Sequence, residues 1–541
     1  MSISLLEKKL YPKMGSREYL ILRAIHSSLI SQWCLALQEP MKTQQNRLSS
    51  ILRNIKNTKI GNDYQLHSDM SLHDFRNNVP ISNYTSYYNT YLQDVHHGKS
   101  YVINSSPITA CMESSGTTGQ PKWIPITRSW EDGVLLAQKL WITSMIKDFP
   151  QAARGQSFSI VSKAFHGQTS GGIPIGSNTG RMLHRQPWYI KRNPIYPNEV
   201  LNIVEQDALQ YTILRFALQS SISVWTTANP STILLYCRRL QEWREELSKD
   251  LLKGTLCCGP ASQLSTNMRH ILEQKLRPTP LPQKWMPAYI WPLAVVNCWK
   301  GGPAQYFASQ ISKALGHDIP IREVGVSASE GHFSVPMSQH DEGGALWTMG
   351  HVIEFIDEDE VSHWAWEVQK GNTYRLVITT ESGLLRYDLQ DLVEVTGFTG
   401  ATPNIRFVGK SGSFLNAVGE KVAEEQISHV LKSIDNPKII GCTVRIYWDE
   451  VPHYILAVEG DIDPIDFCVT FDTLLQQQNL EYESKRKSGR LGMPTYESLP
   501  QHFYLKNRMH RVKQGSSDAQ VKDVIICDED TWKEYCFYQN I

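Results

Sequence analysis

The feature that most constrains this chain is a repeated alternation between residues 150 and 330. Short runs rich in β-formers, Ser157–Ser162, Ile222–Thr226, Leu293–Cys298 and Ile319–Val324, are separated by stretches of helical spacing. Strand–helix alternation of this kind predicts an α/β lobe. Asn229-Pro230 supplies a helix start, because Asn caps free N–H groups and Pro at the first helical position gives up no bond. Pro303 is expected to open a further helix through Ala304, Phe307 and Ile311. Ahead of this lobe, Leu20, Leu22, Ile25, Leu29 and Ile30, and then Leu48, Ile51 and Ile55, recur at helical spacing.

From about residue 345 the texture becomes strand after strand: Tyr374–Thr380, Leu384–Tyr387 and Leu392–Val395, punctuated by Gly383 and the polar Asp388–Asp391. This predicts an antiparallel β subdomain. The glycine-rich stretch Gly409–Lys421 reads as a linker or hinge. Beyond it a small α+β unit is expected, with helix at Val422–Ile434, a strand pair at Ile439–Trp448 and His453–Glu459, and helix at Phe467–Gln477. The division is therefore 1–408, a large lobe, and 409–541, a small one.

Composition narrows the function classes. Lys plus Arg and Asp plus Glu are both 54, which argues against a general nucleic-acid binder. No run of about 18 apolar residues is present, so no membrane span is expected. The first twenty residues mix charges into apolar positions, unlike a secretory leader. The ten cysteines include no CxxC and only one close pair, Cys257-Cys258, so neither a disulfide framework nor a structural zinc site is expected, and the thiols are expected to be reduced in a cytoplasmic protein. No obligate protein partner is evident.

The segment with most chemistry is Ser114-Ser115-Gly116-Thr117-Thr118-Gly119-Gln120-Pro121-Lys122. Small hydroxyl and glycine residues let backbone N–H groups close around phosphate, and a lysine adds charge. It is not a Walker loop; Gly409-Lys410-Ser411 also fails that pattern, since position 404 is Asn. Gly325 to Ser329 approaches a GxSxG nucleophile elbow but ends in Ser. Instead Ser327-Ala328-Ser329-Glu330 follows a predicted strand, where a carboxylate can hold a hard cation beside phosphates. Asp391, in Arg386-Tyr387-Asp388-Leu389-Gln390-Asp391, reads either as a turn former or as an acceptor for ribose hydroxyls. Lys522, in Gln520-Val521-Lys522, by itself reads as a surface residue.

The order of these four elements, with a glycine-rich hinge before the last, resembles the acyl-adenylate-forming superfamily. More narrowly it is similar to the Gretchen Hagen family of acyl-acid amido synthetases, bacterial-type members included. The loop matches at Ser114–Lys122, the family's YxSSE motif falls on Val326–Glu330, and its YRxGDV motif falls on Arg386–Leu392. Thr169–Pro174 resembles the segment lining the acyl pocket. Asn479, Tyr482 and Arg486 resemble a C-terminal NxxY…R stretch, and Gly515–Lys522 resembles the segment ending in QYK. Two positions depart from the pattern: Val326 replaces the Tyr that stacks on adenine, and Gln390 replaces the Gly of the GD pair.

The resemblance implies an adenylate-forming fold with a small mobile C-terminal domain. It implies a ligase using ATP and Mg2+ to join a small carboxylic acid to an amine or amino acid through acyl-AMP. Lys522, Lys122 and Glu330 would be catalytic, with Glu330 on the metal. Ser114, Ser115, Gly116, Thr117, Thr118, Gly119, Ser327, Ala328, Ser329, Asp391 and Lys410 would hold the nucleotide. His332 is the nearest candidate base for the amine. Two other readings stay open: transfer to a thiol, as in an acyl-CoA ligase, and a non-catalytic binding relative. The aromatics at Trp188-Tyr189 and Trp285–Trp299 read equally as an apolar acid pocket or as core.

Overall fold

The computed structural model describes the chain apart from residues 1, 115–121, 162, 186–193, 303, 412–413, 416, 418–419, 421, 449–450, 488–490, 514–522 and 538–541. Ser115, Gly116, Thr117, Thr118, Gly119 and Lys522 therefore lie outside the described residues, as do Trp188 and Tyr189.

The four predicted strands form one parallel sheet, in the order Gln156–Ser159, Ile222–Thr226, Val295–Cys298, Ile321–Glu323. Parallel strands need crossovers, and Pro230–Glu242 is one of the helices supplying them, opened at Asn229-Pro230 as expected. The sheet is buried: Phe158, Trp225 and Trp291 meet in tilted and edge-to-face contacts with ring centroids 5.0–5.8 Å apart, over a core that includes Trp285. Of the Trp285–Trp299 aromatics, Trp285 and Trp291 are therefore core, Trp299 is half-buried and Tyr289 is exposed.

The β subdomain is a seven-stranded antiparallel sheet whose centre is the ribbon Tyr387–Thr399 paired with Thr402–Lys410. Here two expectations are corrected. Residues 380–386 form a turn, not the strand expected at Leu384–Tyr387. The polar run Asp388–Asp391, expected to interrupt the sheet, instead lies within its longest strand. Side-chain pairing explains this: Asp388 is held by Arg375 across the neighbouring strand, Nε to Oδ2 3.3 Å, so its polarity is satisfied in place. A third sheet joins Ile108–Ser114 to Lys122–Thr127 as a hairpin and carries Pro174–Gly176 and Gly167–Gln168 on its other side.

The N-terminal helices wrap these sheets. Leu48, Ile51 and Ile55 are buried along Pro40–Ile55, and Ile30 is buried in Ser27–Gln38. Leu20 and Ile25 instead face solvent, because Arg17–Ile25 packs through Tyr19. Among the described residues no single helix is long and apolar enough to cross a membrane.

From Leu415 onward the chain builds further cores around the strands Ile439–Tyr447, His453–Gly460 and Thr495–Ser498 and the helices Glu424–Ile434 and Pro464–Gln478. Val422, expected to begin a helix, pairs with Leu415 in a two-stranded bridge before that helix starts. Phe307 of the large lobe packs into this core, and Arg508 donates to Thr232 Oγ1 at 2.7 Å across the junction. All ten cysteines are free thiols.

Candidate active site

The Ser/Thr/Gly loop is the connection of the first hairpin. Ser114 ends one strand and pairs with Lys122, which starts the next. A hairpin mouth fixes the two ends of the loop. Lys122 is half-buried, with Nζ 5.4 Å from the centre of the Tyr84 ring.

An aromatic wall backs this mouth. Tyr84 and Tyr88 stack at 5.8 Å, Tyr88 meets His96 at 5.6 Å, and His96 meets Trp123 at 5.5 Å. The backbone N–H of Trp123 donates to the Tyr84 hydroxyl at 3.1 Å. Glu113, one residue before the loop strand ends, accepts from Trp123 Nε1 at 3.4 Å and pairs with His166 Nε2 at 3.0 Å. Thr169–Pro174 is the turn between the two short strands of this sheet. It docks on residues 96–98: Gly171 N–H donates to His96 O at 2.8 Å, and Ser170 Oγ does so at 3.2 Å. A Cβ on Gly171 would stand 2.1 Å from Gly98 N, so only glycine lets the turn approach this closely.

Ser327–Glu330 follows the last parallel strand, as predicted, and folds into a tight turn. Ala328 N–H donates to Gly331 O at 2.8 Å, and Phe333 N–H to Val326 O at 2.8 Å. Ser329 Oγ donates to Glu113 O at 3.4 Å, so the turn is tied to the loop strand. Glu330 is buried; Trp130 Nε1 holds its carbonyl at 2.8 Å, and its carboxylate accepts the Tyr387 hydroxyl. Burial, then the Glu330 charge, pushes the Tyr387 phenol far above its usual range, so it stays a donor. The carboxylate also raises the Tyr84 phenol, after burial and alongside Tyr88. Lys122, Tyr84, Glu330 and Tyr387 thus form one connected patch.

Behind the turn, Glu323 accepts N–H groups from Val324 at 2.9 Å, Gly325 at 3.0 Å and Lys300 at 2.7 Å, while burial lifts its carboxyl to about 7. Val326, in place of the family's Tyr, is buried in the same core as Trp130 and Tyr387. His332 is half-buried with Nε2 shielded from solvent; desolvation lowers its imidazole to about 4, and Nε2 has no partner among the described residues.

Arg386, Tyr387 and Asp391 divide the third motif's work. Arg386 is a staple: Nε and Nη2 each reach Glu354 at 2.8 Å, and Nη1 reaches the carbonyls of Arg76 at 2.8 Å and Val79 at 2.7 Å. Tyr387 contacts Glu330. Asp391 lies buried in the strand opposite Lys410, which replaces the turn-former reading. Gln390, where the family has Gly, takes φ +58°, the left-handed conformation that favours glycine. Its N–H donates to Asp388 Oδ1 at 2.8 Å and its carbonyl accepts from Ser411 at 2.6 Å.

The C-terminal NxxY…R stretch is a scaffold. Asn479 Oδ1 caps the following helix at Tyr482 N, 2.8 Å, while the Tyr482 hydroxyl and Arg486 Nε both reach Asp472 Oδ1 at 2.7 Å. Asp523, directly after Lys522 in the chain, faces Arg508 and Arg511 of the small unit and Arg238 of the large lobe; burial raises its carboxyl against their pull. Sequence reasoning missed Tyr84 and the Glu113–His166 pair. The tyrosine-rich run 84–91 was their one visible signal.

The chain matches the GH3 family N-terminal domain over residues 30–321, the central domain over 344–410 and the C-terminal domain over 425–530. It is 24% identical over 507 residues to indole-3-acetic acid-amido synthetase GH3.2 of Arabidopsis thaliana, covering 85% of this chain and 89% of that protein. Jasmonoyl–L-amino acid synthetase JAR4 of Nicotiana attenuata is 21% identical over 475 residues, 80% of this chain and 81% of that one. Among solved structures, GH3.15 acyl acid amido synthetase superposes with a TM-score of 0.79 at 18% identity over 96% of each chain. A 2-hydroxyisobutyryl-CoA ligase in its postadenylation state follows at 0.53 and 13% identity over 93% of each chain. With three consecutive family domains matched across most of its length, the chain belongs to the GH3 family and has the adenylate-forming fold.

Proposed function

We propose that this protein is an ATP-dependent acyl-acid amido synthetase. A carboxylate of a small organic acid attacks the α-phosphorus of ATP, giving acyl-AMP and pyrophosphate; an amine, in our reading an amino acid, then attacks the acyl carbon and releases AMP. The observation that carries this reading is the tie between the phosphate-loop hairpin and the Glu330 turn, Ser329 on Glu113 with Lys122 and Glu330 sharing Tyr84. The first half-reaction joins two anions, so charge neutralisation is most of what the site must supply.

In this reading Ser114–Gly119 cradle the phosphates and Lys122 adds charge at the loop's end. A buried carboxylate oriented by a phenol is a hard oxygen donor, which suits magnesium, and Glu330 is the residue that would hold it. Bound there, the ion would neutralise phosphate charge. Ser327, Ala328 and Ser329 would face the nucleotide, Asp391 the ribose, and Lys410 its rim. Lys522 would arrive with a small mobile domain, 409–541, turning about the Gly409–Gly419 region on the large domain 1–408.

The test is an AMP-release screen of carboxylic acids against the twenty amino acids, read by mass spectrometry. An amide product supports the proposal; a thioester formed only with coenzyme A, or no AMP with any pair, overturns it. Glu330→Gln should lower adenylation by about 10²-fold or more. Lys522→Ala should lose acyl-AMP formation yet still convert supplied acyl-AMP.

A further inference from the structure

We propose that Asp250, Cys257 and Cys258 form a binding site for a thiophilic divalent cation, zinc in the first instance. The three residues lie on the helix Arg244–Lys253 and the connection after it, over a different core from the one behind Glu330. The two sulfurs stand 3.9 Å apart, and Asp250 Oδ1 is 3.4 Å from Cys257 Sγ. A tetrahedral zinc ion, with Zn–S about 2.3 Å and Zn–O about 2.1 Å, holds two sulfurs about 3.8 Å apart and a sulfur and an oxygen about 3.6 Å apart. These two spacings are therefore already within a few tenths of an ångström of the tetrahedral values, and all three donor atoms lie within 4.8 Å of one another.

Asp250 explains why. It is fully buried, yet the N–H groups of Cys257 at 3.1 Å and Cys258 at 3.0 Å and the hydroxyls of Thr255 at 2.7 Å and Tyr211 at 2.8 Å all donate to its carboxylate. These donors outweigh burial and hold its carboxyl below the usual range. By gripping both cysteine N–H groups, the carboxylate fixes the peptide that presents both thiols together.

Charge also fits. Two thiolates and one carboxylate carry three negative charges. A divalent ion and the buried Arg215 guanidinium, whose Nη2 donates to Asp250 O at 3.2 Å, carry three positive ones. Arg215 Nη1 has no partner among the described residues. Without the ion, burial and then the Asp250 charge push the Cys258 thiol up to about 11; a cation at the site reverses that bias. Cys257 is exposed, which gives the ion its entry path and leaves the fourth position for water. Binding breaks two S–H bonds, forms two S–metal bonds and one O–metal bond, and releases two protons to solvent.

The experiment uses the reduced, metal-free full chain. Cd2+ is titrated while the thiolate-to-metal absorption is followed, and Zn2+ by competition with a chromophoric chelator. One equivalent should bind, with two protons released, and affinity should rise by up to a hundredfold per pH unit below the thiol range. Cys257→Ser and Cys258→Ser should each weaken binding by about a hundredfold, and the double variant should abolish it. Because both cysteines are at least partly exposed, the variants should keep the wild-type melting temperature measured without metal. No absorption at one equivalent, a signal that survives in the double variant, or binding without proton release overturns the site.

Discussion

Glu354→Gln is the substitution whose cost can be worked most directly from the coordinates. Glu354 and Arg386 form a two-pronged ion pair, with side chains 2% and 8% exposed. The change keeps the volume and the Ser362 contact at Oε2 but removes the charge facing the guanidinium. Two charge-assisted hydrogen bonds are weakened or lost, at about 1.5–3 kcal/mol each. Breaking a buried pair from one side typically costs about 3–5 kcal/mol, so the two routes agree on about 3–5 kcal/mol. Glu354→Leu with Arg386→Met should cost less than the sum of the singles, because neither charge is stranded; the remaining loss comes from the carbonyls of Arg76 and Val79, which lose their donor. The assay is urea denaturation followed by tryptophan fluorescence, comparing midpoints at constant slope for the large-lobe transition. A Glu354→Gln protein within about 1 kcal/mol of wild type would refute the reasoning. It would mean that the carboxylate contributes no more than any well-solvated pair.

Three further outcomes are expected. Tyr387→Phe keeps the ring and removes the hydroxyl on Glu330, so ATP–pyrophosphate exchange should fall by roughly ten- to 150-fold; a change within twofold would detach Tyr387 from Glu330's orientation. Gln390→Gly should be neutral to stabilising by about 1 kcal/mol, because relief of about 1–2 kcal/mol of left-handed strain exceeds the glycine entropy of about 0.5–1 kcal/mol; a loss above 1 kcal/mol in the same urea assay would contradict the strain. His332 and His351 are held neutral by burial, at about 4 and about 3, while unfolded histidines titrate near 6.5. The unfolded state therefore binds more protons between these values, and their contribution to stability falls as pH drops from about 6.5 towards 4, by up to about 1.4 kcal/mol per pH unit for each. Melts of wild type and the His332→Gln, His351→Gln double variant should converge in slope over that window only if other groups account for the loss.

The parallel lobe was legible because short β-forming runs alternate with helical stretches, although buried Asn297, Arg322 and Glu323 lie within its strands. The β subdomain was legible as a class but not in register. Asp388 and Asp391 look like punctuation until Arg375, on the neighbouring strand, is known to face one of them. Motif order brought out Lys122, Glu330 and Asp391, whose residue types carry chemistry on their face. It could not assign Arg386 to structure and Tyr387 to the site, because Arg386 ends the turn, at φ +42°, and Tyr387 opens the strand, a boundary that the β-like run Leu384–Tyr387 hides. Tyr84 was invisible for a different reason: it reaches the site through Ser82, which bridges to Tyr387 across some three hundred positions of chain.

The long ribbon has a mechanical meaning. Asp391 sits directly opposite Lys410, and Gln390 O is bonded to Ser411, so the rung that ends the ladder is also the one that, in the proposed function, would face the ribose. A torque applied where the chain leaves the sheet acts on a lever one rung long, and its first effect is on the backbone that aims the aspartate. Gln390, already wound into the left-handed basin at that rung, is where such a twist would register first.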